Sequence, residues 1–339
     1  MFCLLLHAHS MFPDRHEPHS PVGVGFVSAM TALWILAGII GLVVALAASR
    51  RAVRHATALA FGSRLPPFVI GVGLLAVGTD LPEIANSIIA SLRGQGDLNV
   101  SDSIGSAATQ LTLVLGLLPL VVGGFAVGRR RVRVIGFLTV LAMGLGIIFV
   151  ADGHLSRLDG ALLVTAWVGA SAAIWRFAPP ASEPVLPVPA TRKARHVSLA
   201  LGALMLVGGG TWLAIEALIR VADLVGVPVY VIGFLGASLG TSLPELMVDI
   251  TALRSGQRDL AVGDVFGSSL IDATLSIGIG PLIAPTAVTP GLAVRGGLGA
   301  LAVAAIVTVV LGVRRRHSRL TGVLLLGLYV GLYVVVLSA

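Results

Sequence analysis

The sequence predicts an all-α polytopic membrane protein with about ten transmembrane helices, arranged as two inverted five-helix repeats. Three observations carry that expectation: the chain is too apolar for water, its apolar runs are long enough to cross a bilayer, and its halves repeat one another. Of 339 residues, 56% are hydrophobic and 12% charged, against about 45–50% and 25% in soluble globular proteins. With a mean hydropathy of +0.98, too little polar surface remains for a soluble enzyme or a nucleic-acid-binding protein, despite the net charge of +7. The one cysteine, Cys3, excludes an intrachain disulfide and any multi-cysteine metal or iron–sulfur site.

Residues 1–21 read as a polar N-terminal tail. Their apolar run, 2–6, is too short for a signal peptide and no basic segment precedes it. His7, His9, His16 and His19 lie there without patterned spacing and read as solvated. A spanning helix needs about 20 apolar residues, and the stretches that qualify are 24–48, 66–91, 101–123, 134–151, 158–178, 197–219, 228–252, 261–284, 293–313 and 320–338. Alternate connections hold 17 Lys and Arg residues, from Arg50 to Arg319, while the opposite side holds five, Arg15, Arg93, Arg157, Arg220 and Arg295, with Arg64 near the start of the second span assigned to neither. The positive-inside rule makes the rich side cytoplasmic, so both termini face outward, which suits a bacterial inner membrane. Prolines 179, 180, 184, 187 and 189 mark an extended cytoplasmic linker over 179–196, between membrane regions 22–178 and 197–339.

Shifting the chain against itself by 162 residues makes 23 of the 52 positions from 69 to 120 identical without a gap, where chance gives fewer than about one in ten. Gly78-Thr79-Asp80-Leu81-Pro82-Glu83 falls on Gly240-Thr241-Ser242-Leu243-Pro244-Glu245, and Asp102 with Gly105-Ser106 falls on Asp264 with Gly267-Ser268. Five spans, an odd number, separate the copies, so they cross the membrane in opposite senses. Pro82 and Pro244 withhold an N–H inside apolar spans, which predicts freed carbonyls and unwound backbone near Gly78-Thr79 and Gly240-Thr241. A Glu follows each proline, so each half offers carbonyls, a Thr hydroxyl and a carboxylate at one depth, the mixed oxygen set that Ca²⁺ prefers. The next spans add Ser106 with Gln110 and Ser268 with Asp272, each pair on one helix face at i, i+4. Gly105 and Gly267 are expected to let these helices approach closely. A buried carboxylate costs at least about 2.5–3.5 kcal/mol on the insertion scale. A bound cation is the simplest compensation for Glu83, Glu245 and Asp272, with Asp80, Asp102 and Asp264 as further candidates.

At these residues the chain resembles the cation/Ca²⁺ antiporter superfamily, which includes the sodium/calcium exchangers and whose two α-repeats read approximately G-T-S-L-P-E and G-N-x-x-G-S-N. The resemblance covers essentially the whole chain. It implies alternating access, with Ca²⁺ exported against entering Na⁺ or H⁺ and no resident cofactor or catalytic residue. It also implies Glu83 and Glu245 as central Ca²⁺ ligands, helped by Thr79 and Thr241, with Ser242 and Asp80 alongside. Ser106, Gln110, Ser268 and Asp272 complete the neighbouring monovalent-cation sites, Gln110 standing where prokaryotic exchangers commonly place Asn. The partners implied are the lipid bilayer and inorganic cations, with no nucleic acid or protein partner. Asp80 replaces the motif's Ser, Asp102 and Asp264 replace its Asn, and Ala107 and Ser269 stand at its final Asn. These added carboxyls keep Na⁺ and H⁺ coupling both open, and leave another divalent cation such as Mn²⁺, or a non-transporting relative, as alternatives. An intramembrane aspartyl protease would need Gly-x-Gly-Asp, and Ala261-Val262-Gly263-Asp264 lacks the first glycine.

Overall fold

The computed structural model describes residues 21–63, 66–177, 190–224, 229–314 and 316–337, with side chains left undescribed at several of these, among them 21–29 and 222–241. The tail at 1–20 with its histidines, and the proline-rich stretch 178–189, lie outside the described residues. In chain order the helices are α1 (Pro21–Ser63), α2 (Pro67–Thr79), α3 (Leu81–Leu92), α4 (Gly96–Val122), α5 (Arg129–Val150) and α6 (Arg157–Phe177). The second half holds α7 (Ala190–Leu224), α8 (Val229–Arg254), α9 (Arg258–Ile283), α10 (Pro290–Val313) and α11 (Arg319–Leu337). Among the described residues, seven of these are long and apolar enough to cross a membrane, and α2 with α3, bent by 49°, makes an eighth. Two boundaries differ from expectation. Helix α1 runs on through Arg50, Arg51 and Arg54, past the apolar stretch, because arginine and alanine are good helix formers even where they leave the lipid. Helix α7 begins at Ala190, the first position clear of the prolines and within the stretch expected as linker.

Local features recur at the repeat spacing. Helices α4 and α9 each contain a π-helical turn, Gln110–Val114 and Asp272–Ser276, and each carries a proline soon after, Pro119 and Pro281. Proline cannot donate to the carbonyl four residues back, and a buried carbonyl needs a partner. His317 supplies one to Leu115 O at 2.8 Å, and Asn99 Nδ2 donates to Ile277 O at 3.1 Å. Short strands β1 (Phe125–Ala126), β2 (His154–Leu155), β3 (Thr286–Ala287) and β4 (Arg316–His317) then tie the halves, β1 with β4 and β2 with β3, both antiparallel.

Glycine faces set the helix contacts. A Cβ on Gly116 would lie 3.0 Å from Gly322 O, drawing α4 onto α11, and one on Gly278 would lie 2.9 Å from Gly160 O, drawing α9 onto α6. Similarly, α1 meets α7 at Gly41 and Gly210, each within 2.6 Å of the other's carbonyl by the same measure. The centre belongs to α9, most of which is buried. It presses on α2, where a Cβ would lie 2.3 Å from Leu260 O at Gly71, 2.4 Å from Phe68 O at Gly263 and 2.7 Å from Val72 Cα at Gly267. The close approach expected of Gly267 is therefore present. Among the described residues nothing lies within 4 Å of where a Cβ on Gly105 would sit, and the stretch that the repeat would place opposite it, 234–238, has no described side chains.

Candidate cation site

The site forms where the α2–α3 break meets α8 and α9. Helix α2 ends at Thr79, Asp80 leaves helical geometry at φ −83°, ψ 6°, and Pro82 sits in the first turn of α3, where a missing N–H costs nothing. The break falls at Asp80, just past the Gly78-Thr79 stretch expected to unwind, which stays helical, and it places Asp80 and Glu83 at the bend. The second half differs: α8 runs through Pro244 without unwinding, so Ser242 and Glu245 sit on a continuous helix. A proline inside a helix can bend it and spare the rest when neighbouring helices hold both sides.

Asp80, Glu83 and Glu245 converge, with one carboxylate oxygen from each lying within 4.8 Å of the others. All three are buried, at 0%, 1% and 0% exposure. Among the described residues, neither oxygen of Glu83 or Glu245 has a hydrogen-bond partner, nor does Asp80 Oδ2 or the buried Ser242 Oγ. Asp80 Oδ1 accepts from Gln110 Nε2 at 3.4 Å, and Ser269 Oγ donates to Gln110 Oε1 at 3.1 Å, so one amide links the α2–α3 bend to α9. Thr79 Oγ1 lies 3.4 Å from Ser268 Oγ, which the Gly263 and Gly267 contacts with α2 make possible. The same Thr79 hydroxyl lies 3.2 Å from both Leu75 O and Ala76 O, so it also serves the helix end. Ser106, Gln110, Ser268 and Asp272 are all buried, and the two π turns begin at Gln110 and Asp272. Such turns rotate the face that follows and are frequent at functional sites. Both Asp272 oxygens are buried, with Ser276 one turn along as the neighbouring hydroxyl.

Two expected members stand apart from the three-carboxylate cluster. Asp102, half-buried, accepts from Asn86 Nδ2 at 2.6 Å. Asp264 is fully buried beside Asp249, and apart from that neighbour its oxygens have no partner among the described residues. Thr241 has no described side chain. The sequence reading passed over Asp249, which is fully buried and, apart from Asp264, has no partner for its oxygens among the described residues. Its position four residues after Glu245, on the same helix face, was the available signal. Among the described residues the ion pairs are Arg131 with Asp259 and Arg220 with Glu216, so none of these buried carboxylates is neutralised by a basic side chain. What the arrangement can do chemically is surround a hard cation with oxygens.

A family model described as sodium/calcium exchanger protein matches residues 32–176 and 196–338. The Inner membrane protein YrbG of Escherichia coli (strain K12) is 30% identical over 305 residues, covering 85% of this chain and 92% of that protein. The Sodium/calcium exchanger MaX1 of Methanosarcina acetivorans is 24% identical over 339 residues, covering 88% and 96%. Among solved structures, the sodium-calcium exchanger NCX_Mj soaked with zero Na⁺ and Ca²⁺ superposes with a TM-score of 0.75 at 23% identity, over 88% of this chain and 97% of that one.

Proposed function

The chain belongs to the sodium/calcium exchanger protein family of membrane antiporters, and from that premise we propose that it exports Ca²⁺ in exchange for Na⁺ or H⁺ by alternating access. The observation that carries the reading is the buried triad Asp80, Glu83 and Glu245, within 4.8 Å and without a basic partner. Three like charges at this spacing call for a cation of high charge density and hard-oxygen preference, and Ca²⁺ fits both. Glu83 and Glu245 are its central ligands. Thr79, Thr241, Ser242 and Asp80 add oxygens, and Ser106, Gln110, Ser268 and Asp272 form flanking monovalent-cation positions. Asp102 and Asp264 tune coupling from either side. The two copies cross the membrane in opposite senses, ten spans in all, so rocking one set of helices against the other opens the site alternately to the two faces. The protein resides in the inner membrane with both termini outside, by its distribution of basic residues.

The test is ⁴⁵Ca²⁺ uptake into proteoliposomes of the purified protein, driven in parallel by outward Na⁺ and outward H⁺ gradients, with protein-free liposomes as background. Uptake driven by either gradient and abolished by Glu83→Gln is the expected result. No Ca²⁺ uptake under either gradient overturns the reading.

A further inference from the structure

The second repeat carries an acidic pair that the first does not. Asp249 on α8 and Asp264 on α9 lie side by side, both at 0% exposure. Outside the pair itself, none of their four carboxylate oxygens has a hydrogen-bond partner among the described residues. The equivalent positions 162 residues earlier are Ser87 and Asp102, and there the polar groups are satisfied within the protein. Ser87 Oγ accepts the Gly280 N–H at 3.1 Å, and Asp102 accepts from Asn86 at 2.6 Å. Asn86 corresponds to Val248, so Asp264 has lost its donor, while Ser87 corresponds to Asp249, so a second carboxyl has been added. The first change removes the donor that would occupy the carboxylate, and the second raises the oxygen density beside it.

The pair is separate from the central triad. Four residues along a helix advance about 6 Å, so Asp249 lies about that far beyond Glu245, toward the 255–257 turn where α8 hands over to α9. Asp264 comes six residues after the first residue of α9, so both elements bring their acids to the same level from that turn. Between the turn and the triad, two carboxyls therefore stand in line with Glu245.

We propose that Asp249 and Asp264 form an additional divalent-cation site, a station that Ca²⁺ occupies between the central triad and the face of the membrane bearing the 255–257 turn. Two carboxylates can supply up to about four hard oxygens, within the six to eight that Ca²⁺ takes, and their charge matches that of one divalent ion. The assignment rests on the Ca²⁺ reading of the triad, and its test reads equilibrium binding so that the two fail separately.

The experiment is ⁴⁵Ca²⁺ binding to the full chain in detergent by equilibrium dialysis, on wild type, D249S, D249N, E83Q/E245Q and the triple variants that add D249S or D249N to that double. Serine is the residue the first repeat carries at this position, and Asn keeps the volume, so the two check each other for folding, with monodispersity on gel filtration required of both. The wild type is expected to bind Ca²⁺ in a tighter and a weaker class. E83Q/E245Q removes the tighter class and retains the weaker, and the triple variants lose it. D249S and D249N alone each lose about one Ca²⁺ per chain and keep the tighter class. Residual binding in E83Q/E245Q that survives both triple substitutions overturns the proposal, as does the absence of residual binding in E83Q/E245Q. If E83Q/E245Q leaves the tighter class in place while D249S removes the weaker, the triad reading fails and this one stands.

Discussion

Replacing Glu245 with Gln keeps the shape of the side chain and removes its charge, so it separates the two opposing roles of that charge. With ligand oxygens of Asp80, Glu83 and Glu245 within 4.8 Å of one another, each ionised pair repels by about 3.5 kcal/mol at an effective dielectric of 20. The substitution removes two of the three pairs. With all three ionised, it thus relieves about 7 kcal/mol of repulsion at that separation in the cation-free protein. In cation-free buffer at pH 8, Glu245→Gln should unfold at a higher temperature than wild type. With Ca²⁺ the gap narrows, because a hydrogen-bonding or ligand contact to a charged group is worth about 1.5–3 kcal/mol, which makes Ca²⁺ binding about 10- to 150-fold weaker. At a Ca²⁺ concentration of 100 times the wild-type Kd, wild type gains about 2.7 kcal/mol and the variant between about 0.3 and 1.4. The assay is thermal unfolding in detergent, with and without Ca²⁺. A variant that is destabilised in the absence of cations, or that keeps the full Ca²⁺-dependent gain, would refute the reasoning.

Two further outcomes are expected. Gly263→Ala drives a methyl to 2.4 Å from Phe68 O, a main-chain atom that cannot turn aside, and should cost about 1–3 kcal/mol, whereas Gly144→Ala on α5 meets nothing within 4 Å among the described residues and should be neutral or stabilising. Equal unfolding temperatures for the two variants would show that the α2–α9 contact is not tight. His317, in the connection before α11, is held below the ordinary imidazole value by burial, against the opposing pull of its bond to Leu115 O. The unfolded chain therefore takes up a proton first as pH falls, so the stability contributed by neutral His317 is present above about pH 6.5 and is lost progressively below it. The unfolding temperature of wild type should drop between pH 7 and pH 5 more steeply than that of His317→Gln, and parallel profiles would remove this role from His317.

The sequence by itself determined the environment, the division into halves and the two motifs, because each is a property of composition or of spacing along one chain. Apolar length requires a bilayer, a gap-free repeat requires a duplicated unit, and Pro-Glu inside an apolar run requires something to meet the carboxylate. Tertiary structure decided which oxygens meet. These helices are apolar nearly all round, so no amphipathic stripe marks the face that turns inward. Asp249 and Ser269 look in the sequence like ordinary polar residues on a helix, yet one lies beside Asp264 and the other binds Gln110. Pro82 and Pro244 read alike, yet α3 starts afresh after Asp80 while α8 continues through Pro244. The partners of the carbonyls freed by Pro119 and Pro281, His317 and Asn99, come from opposite halves of the chain to those prolines. Such pairings depend on where glycine faces let backbones touch, as Gly263 does on Phe68, and that proximity is a property of the packed bundle that spacing along the chain does not contain.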